Sequence, residues 1–200
     1  MIHPCKDYGN YRKFGFYYYS YKLKHAENKI EFKDILDKNN SISEIIWNNL
    51  NPIQQPCFAK IKIFHCGHDY SCDAGDNDKS ISDGKVIFSN EVNGFGSYGG
   101  KGGVIIVQHK IGNESFLALH GHIHRFKGIG DIVKEGDVIG EVIEYRNKFW
   151  NANKKKYDDS RADHVHFCII VDSIIPSFPW GYRENIIGFF DPIEFINKRK

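Results

Sequence analysis

The feature that most constrains this chain is a change of pattern near residue 57. Beyond it, the sequence runs in short stretches of β-branched and aromatic residues divided by glycine-bearing turns, which is the pattern of strands and hairpins. Strands are predicted over residues 58–64, 85–92, 103–110, 115–124, 137–145 and 164–171. Ser82-Asp83-Gly84 forms a turn into the second of them. Before the change, residues 1–22 are crowded with Phe14, Phe16, Tyr17, Tyr18, Tyr19 and Tyr21, either an early strand or an aromatic patch. Residues 28–50 read as two short helical pieces. Ser41-Ile42-Ser43-Glu44 has capping-box spacing, and Asn51-Pro52 stops the second piece. Asp191-Pro192-Ile193-Glu194 opens a short C-terminal helix. The segment 146–162, with Lys154-Lys155-Lys156 and then Asp158-Asp159, reads as an exposed loop inserted into the β region. The predicted organisation is an N-terminal extension with short helices over 1–56 and a mainly β domain over 57–200.

Composition removes several functions. With 27 basic and 25 acidic residues the net charge is +2, too balanced for an electrostatic nucleic-acid binder. No run approaches the ~18 apolar residues of a membrane span. The start, MIHPCKDYGNYRKFGF, has no apolar core and does not read as a signal peptide. Five cysteines (Cys5, Cys57, Cys66, Cys72, Cys168) cannot form a closed disulfide set, and without a CxxC pair they argue against a cysteine-rich structural zinc site. Gly94-Phe95-Gly96-Ser97-Tyr98-Gly99 spells GxGxxG, but Val104-Ile105-Ile106-Val107 follows where a nucleotide fingerprint needs a helix.

Ten histidines remain to be explained, eight of them between residues 65 and 166. His65 and Asp69 are four apart with Gly67 between them, so a turn there would bring an imidazole and a carboxylate to one metal ion. His164 and His166 alternate with Val165 and Phe167, which places both histidines on one face of a strand. By the same alternation His120, His122 and His124 share a face opposite Leu117, Leu119 and Ile123. His109 is expected to make a structural hydrogen bond. Polar turns and half-buried sheet histidines account for each group taken alone. Together they describe two histidines and an acid at a zinc ion, with further histidines beside it.

In order along the chain, these residues resemble the lysostaphin/LytM-type zinc endopeptidases, which cut peptides of bacterial peptidoglycan. His65–Asp69 resembles the family's HxxxD, and Asp83-Gly84-Lys85-Val86 its DGxV. Gly94–Gly103 resembles its glycine loop, Leu119-His120-Gly121-His122-Ile123 its YxH segment and His164-Val165-His166 its HxH. Gly130–Gly140 resembles its glycine-bounded hairpin, and also the biotinyl/lipoyl carrier hairpin, which would not need three histidine motifs. The resemblance covers residues 60–195. It implies an antiparallel β-sheet core with a groove, zinc held by His65, Asp69 and His166, and catalytic histidines at His122 and His164. It also implies peptidoglycan peptides as substrate and a cell-envelope location, periplasmic or secreted. The family's short Gly/Ser/Thr turn before HxH is replaced here by 146–162 and Ser160-Arg161-Ala162-Asp163. A non-catalytic peptidoglycan-binding or signalling module with the same fold is the alternative. A His-rich β protein with a structural zinc ion is a third reading.

Overall fold

The apolar runs become long paired strands. The computed structural model describes residues 1–6, 10–23, 41–43, 48, 58–151, 156–171, 175–177 and 179–199. The central hairpin joins β8 (Lys101–Ile111) to β9 (Glu114–Arg125). Its turn is Gly112-Asn113, where Gly112 takes φ +59, as a two-residue hairpin turn requires. On one side β8 pairs with β7 (Gly84–Asn93), which pairs with β10 (Ile132–Val133). On the other side β9 pairs with β14 (His164–Ile170). Beyond β14 come β5 (His68–Ser71) and then β1 (Asn10–Arg12). The strands β6 (Asn77–Lys79), β11 (Val138–Val142) and β16 (Phe189–Phe190) complete a ten-stranded sheet. A second sheet has the order β15 (Tyr182–Arg183), β4 (Phe58–His65), β2 (Tyr17–Leu23), β3 (Ser41–Ser43).

Both faces of the large sheet are covered, which is why Val104–Val107 is continuously apolar. On one face Ile105, Val107, Ala118 and Phe167 meet Phe195 and Ile196 of the helix α1 (Pro192–Asn197). The other face gathers Ile106, Leu117, Leu119 and Cys168 with Phe95 and Trp180. The whole of β14 is buried, so its side chains have little freedom to move. The helix starts as expected: Asp191 caps it by accepting from the amides of Ile193 at 2.9 Å and Glu194 at 3.2 Å, with Pro192 in the first turn.

Each of the six expected strands has a counterpart within a few residues, and the aromatic N-terminal stretch contains β1 and β2. Two local expectations change. Within 146–162, expected to be a loop, β12 (Arg146–Asn151) pairs antiparallel with β13 (Lys156–Arg161), Arg146 with Arg161 and Trp150 with Tyr157. The segment's lysines and aspartates masked Phe149, Trp150 and Tyr157, which favour strands. Of the stretch 28–50 expected to be helical, Ser41–Ser43 is extended and pairs with Lys22–Ser20 of β2, so the capping-box serines serve a strand. Asn48 is helical, and the rest of that stretch lies outside the described residues.

Candidate active site

Three elements bring the acid and two histidines together. His65 ends β4, Asp69 is the second residue of β5, and His166 is the third of β14. The antiparallel register sets His166 directly opposite Asp69. The chain bends at Gly67 between β4 and β5, and packing adds a second reason for glycine there. A Cβ there would stand 2.6 Å from the Phe167 carbonyl oxygen, 2.8 Å from Cys168 Sγ and 2.9 Å from the His166 ring. Only a residue without a side chain lets the chain lie this close to β14.

The cluster is tight. His65 Nε2 is 3.1 Å from Asp69 Oδ1, His166 Nδ1 is 2.9 Å from the same oxygen, and the two nitrogens are 3.0 Å apart. All three residues are buried. The neighbouring carbonyls assign the ring tautomers, because a carbonyl oxygen only accepts. His65 Nδ1–H donates to the Lys13 carbonyl at 3.1 Å, and His166 Nε2–H faces the Trp180 carbonyl at 3.4 Å. That leaves His65 Nε2 and His166 Nδ1 as lone-pair donors aimed at one point, with a carboxylate oxygen beside them. Burial opposes ionisation of Asp69; positive charge shared with His166 and His65 against its oxygen, with His164 nearby, holds its carboxyl well below the ordinary range. Three such acceptors repel one another unless a cation or a proton stands between them. Ligands about 2.0–2.2 Å from a tetrahedral zinc ion stand about 3.3–3.6 Å apart, so the set fits a small divalent ion after a slight expansion. A metal-bound histidine usually donates its other ring N–H to a carbonyl or carboxylate, as both do here.

Two more imidazoles lie beside the cluster. His164 Nδ1–H donates to the Ala162 carbonyl at 2.7 Å, and its Nε2 is 3.9 Å from Asp69 Oδ1. His122 Nδ1–H donates to the Phe95 carbonyl at 2.8 Å, and its ring centroid is 4.3 Å from that of His164. Burial lowers the pKa of both, that of His122 well below 6.5, where the neighbouring His164 and His166 lower it further. Both rings are therefore neutral at pH 7, with Nε2 as the basic nitrogen. Tyr145 lies against both, 4.5 Å from His122 and 5.0 Å from His164 between ring centroids. Asp163 braces this corner, accepting from the amides of Tyr145 at 2.8 Å and Ala74 at 3.3 Å.

His122 reaches this place by breaking the alternation expected of its strand. Up to Gly121 the parity holds, so His120 sits opposite Phe167 and Gly121 opposite His166. His122 then takes φ +64 where the β8–β9 register slips between Gly103 and Val104. This bulge turns His122 to the face of His166 and leaves His120 on the other. His120 is buried there with its Nδ1 2.9 Å from Asp78 Oδ1. A non-glycine residue in this region costs about 1–3 kcal/mol, which surrounding contacts must offset. The glycine loop supplies one of them. A Cβ on Gly102 would stand 1.8 Å from the Phe95 carbonyl oxygen, so the bare backbone is what fits Phe95 into place against His122.

Three further described histidines lie apart from the cluster. His68 lies on the opposite face of β5 from Asp69, its ring 4.8 Å from Tyr70. His109 donates to the Asp83 carbonyl at 3.0 Å, the structural hydrogen bond expected of it. His124 is exposed beside Phe126.

The sequence matches the family model of Peptidase family M23 over residues 63–174, more than half of the chain. The chain belongs to peptidase family M23. Among solved structures, this M23 chain is similar to the antimicrobial peptidase lysostaphin from Staphylococcus simulans. Identity is 23%, the TM-score is 0.44, and 67% of this chain and 44% of that chain are covered. It is also similar to LytU, at 20% identity over 68% of this chain and 74% of that one, with a TM-score of 0.45. Helicobacter pylori Csd3 matches at 20% identity over 98% of this chain and 39% of that one, with a TM-score of 0.45. The M23 chain thus spans less than half the length of two of these three. No curated protein matches it.

Several groups at the candidate site had no sequence signal. The carbonyls of Lys13, Phe95, Ala162 and Trp180 orient the four imidazoles, and a backbone carbonyl looks the same at every residue. Arg12 lies opposite Asp69 in the β1–β5 register and hydrogen-bonds the Tyr182 hydroxyl, whose ring centroid is 5.0 Å from that of His65. Neither Arg12 nor Tyr182 belongs to a motif.

Proposed function

We propose that this M23 peptidase is a zinc-dependent endopeptidase that hydrolyses cross-links or stem peptides of bacterial peptidoglycan in the cell envelope. The observation that carries the reading is the convergence of His65 Nε2, Asp69 Oδ1 and His166 Nδ1, three buried acceptors within 2.9–3.1 Å, beside two buried imidazoles. His65, Asp69 and His166 would hold the ion. Zinc bound there would supply Lewis acidity toward the scissile carbonyl and lower the pKa of the attacking water toward 7.

The protein's own groups account for the proton movements. Nε2 of His164 or His122 takes a proton from the attacking water, as a neutral buried imidazole with its other nitrogen tied to a carbonyl is able to do. The second imidazole then donates to the developing oxyanion or to the leaving amine. Holding Nδ1–H on the Ala162 and Phe95 carbonyls keeps each ring in the tautomer that this requires. Residues 57–200 form the peptidase domain in this reading. The extension 1–56 lends it β1 and the Lys13 carbonyl behind His65.

The test is release of peptides from purified sacculi. Release should stop with a chelator and return when zinc is added. His122→Ala should keep its metal and lose release. Equal release by wild type and His122→Ala, at equal metal content, would refute the proposed role of His122. Binding to sacculi without cleavage by the metal-loaded wild type would favour the non-catalytic module.

A further inference from the structure

Away from the histidines, the first residues of the chain bring two thiols together. The Ile2 amide donates to the Ile81 carbonyl at 3.1 Å, and the Pro4 carbonyl accepts from the Lys79 amide at 2.7 Å. His3 Nδ1 is 2.9 Å from the Tyr70 hydroxyl. These contacts lay residues 1–5 along β6 and deliver Cys5 to Cys72, the residue after β5. The two sulfurs are 2.8 Å apart and buried. We propose that Cys5 and Cys72 form a disulfide that staples the N-terminal segment to β5, the strand carrying Asp69.

A disulfide bond is about 2.05 Å long, so the sulfurs close by less than an ångström. The two cysteines are 67 residues apart in sequence, so bonding would constrain a long unfolded loop. The other described cysteines are placed differently. Cys66 and Cys168 lie in the core on the site face, with Cys168 Sγ 3.1 Å from His166 Nε2. One bond between Cys5 and Cys72 also accommodates the odd cysteine count.

The chemistry is thiol–disulfide exchange with a small oxidised disulfide such as oxidised glutathione, or with a dithiol oxidoreductase. One cysteine thiolate attacks the oxidant's disulfide, forming a mixed disulfide and expelling one thiolate. The second cysteine thiolate attacks that mixed disulfide at the protein sulfur and expels the other. Two protons leave the protein thiols, two electrons pass to the oxidant, and the oxidant departs as two thiols. The staple would hold down the segment leading to β1 and Lys13, whose carbonyl orients His65. It does not depend on the peptidase reading and is tested apart from it.

The full-length protein is equilibrated with oxidised and reduced glutathione, denatured in the presence of an alkylating agent without reductant, and analysed by intact mass and peptide mapping. The expected result is three alkylated cysteines, Cys57, Cys66 and Cys168, with the Cys5 and Cys72 peptides joined and the mass lower by two hydrogens. Reduction should lower Tm by on the order of 10 °C. Cys5→Ser and Cys72→Ser should each remove the dependence of Tm on reductant. Five alkylated cysteines, a stable glutathione adduct on either residue, or a bond joining any other pair would overturn the proposal, and the wild-type mapping decides this even where a serine variant fails to fold.

Discussion

Replacing Gly121 by alanine is the sharpest perturbation of the site that removes no polar group. The added Cβ would stand 2.4 Å from both Cδ1 and Cε1 of Phe95. Carbon contacts are comfortable at about 3.5–4.0 Å, so the ring must withdraw by about 1 Å. It has little room to do so, because Phe95 is 4% exposed and its backbone is pressed against Gly102. Overpacking of this kind costs about 1–3 kcal/mol, which for a chain of this size lowers Tm by roughly 3–10 °C. The catalytic effect should exceed the stability effect. The carbonyl of Phe95 receives Nδ1–H of His122 at 2.8 Å, so moving Phe95 swings His122, and a 1 Å misplacement costs about 100-fold in rate. Gly121→Ala should therefore bind metal as the wild type does and lose about 100-fold in kcat/KM for peptide release. Adding Phe95→Leu should recover part of the loss by shortening the ring that clashes. A Gly121→Ala protein with wild-type kcat/KM, or a double variant no better than the single, would refute the coupling of Phe95 to His122.

Other outcomes follow from the same geometry. Asp69→Asn removes the anionic oxygen from the cluster and should leave the purified protein without stoichiometric metal, read by elemental analysis after dialysis. His164→Gln should retain metal but lose about 10²–10⁴-fold in kcat, the usual contribution of a positioned acid–base group. Burial pushes His109 down to about 4 from 6.5, against its hydrogen bond to the Asp83 carbonyl. Below pH 6.5 the unfolded chain binds a proton there that the native protein refuses, so this stabilisation is whole above 6.5 and is lost as pH falls toward 4. The loss reaches about 3 kcal/mol from His109 at about 1.4 kcal/mol per unit. His109→Gln should flatten the urea-denaturation profile over that range, and an unchanged slope would refute the assignment.

Much of the candidate site was legible in the sequence because its motifs are local. The HxxxD and HxH spacings place two residues each on short extended pieces, and the period of a strand then decides which side chains share a face. That argument holds for His164 and His166, where β14 is regular. It fails for His120 and His122, where a single bulge exchanges the faces. The β12–β13 pairing was missed for a related reason: its charged residues read as solvent-facing, whereas backbone pairing with the neighbouring strand is indifferent to charge.

By itself the sequence determined the β class, the positions of the long strands, the capped terminal helix and the residues from which a metal centre could be built. These depend on periodicity, turn chemistry and side-chain type, all of which are carried by neighbouring residues. Tertiary structure alone decided that His65, Asp69 and His166 converge within 3.1 Å, that His122 leaves its strand's parity to stand beside His164, and that Cys5 meets Cys72. Each of these depends on register between strands distant in sequence and on backbone carbonyls that no residue name reveals. The physical reason is that a chain's local preferences choose its elements, while long-range pairing and the exclusion of a Cβ at Gly67 and Gly121 choose how closely they meet.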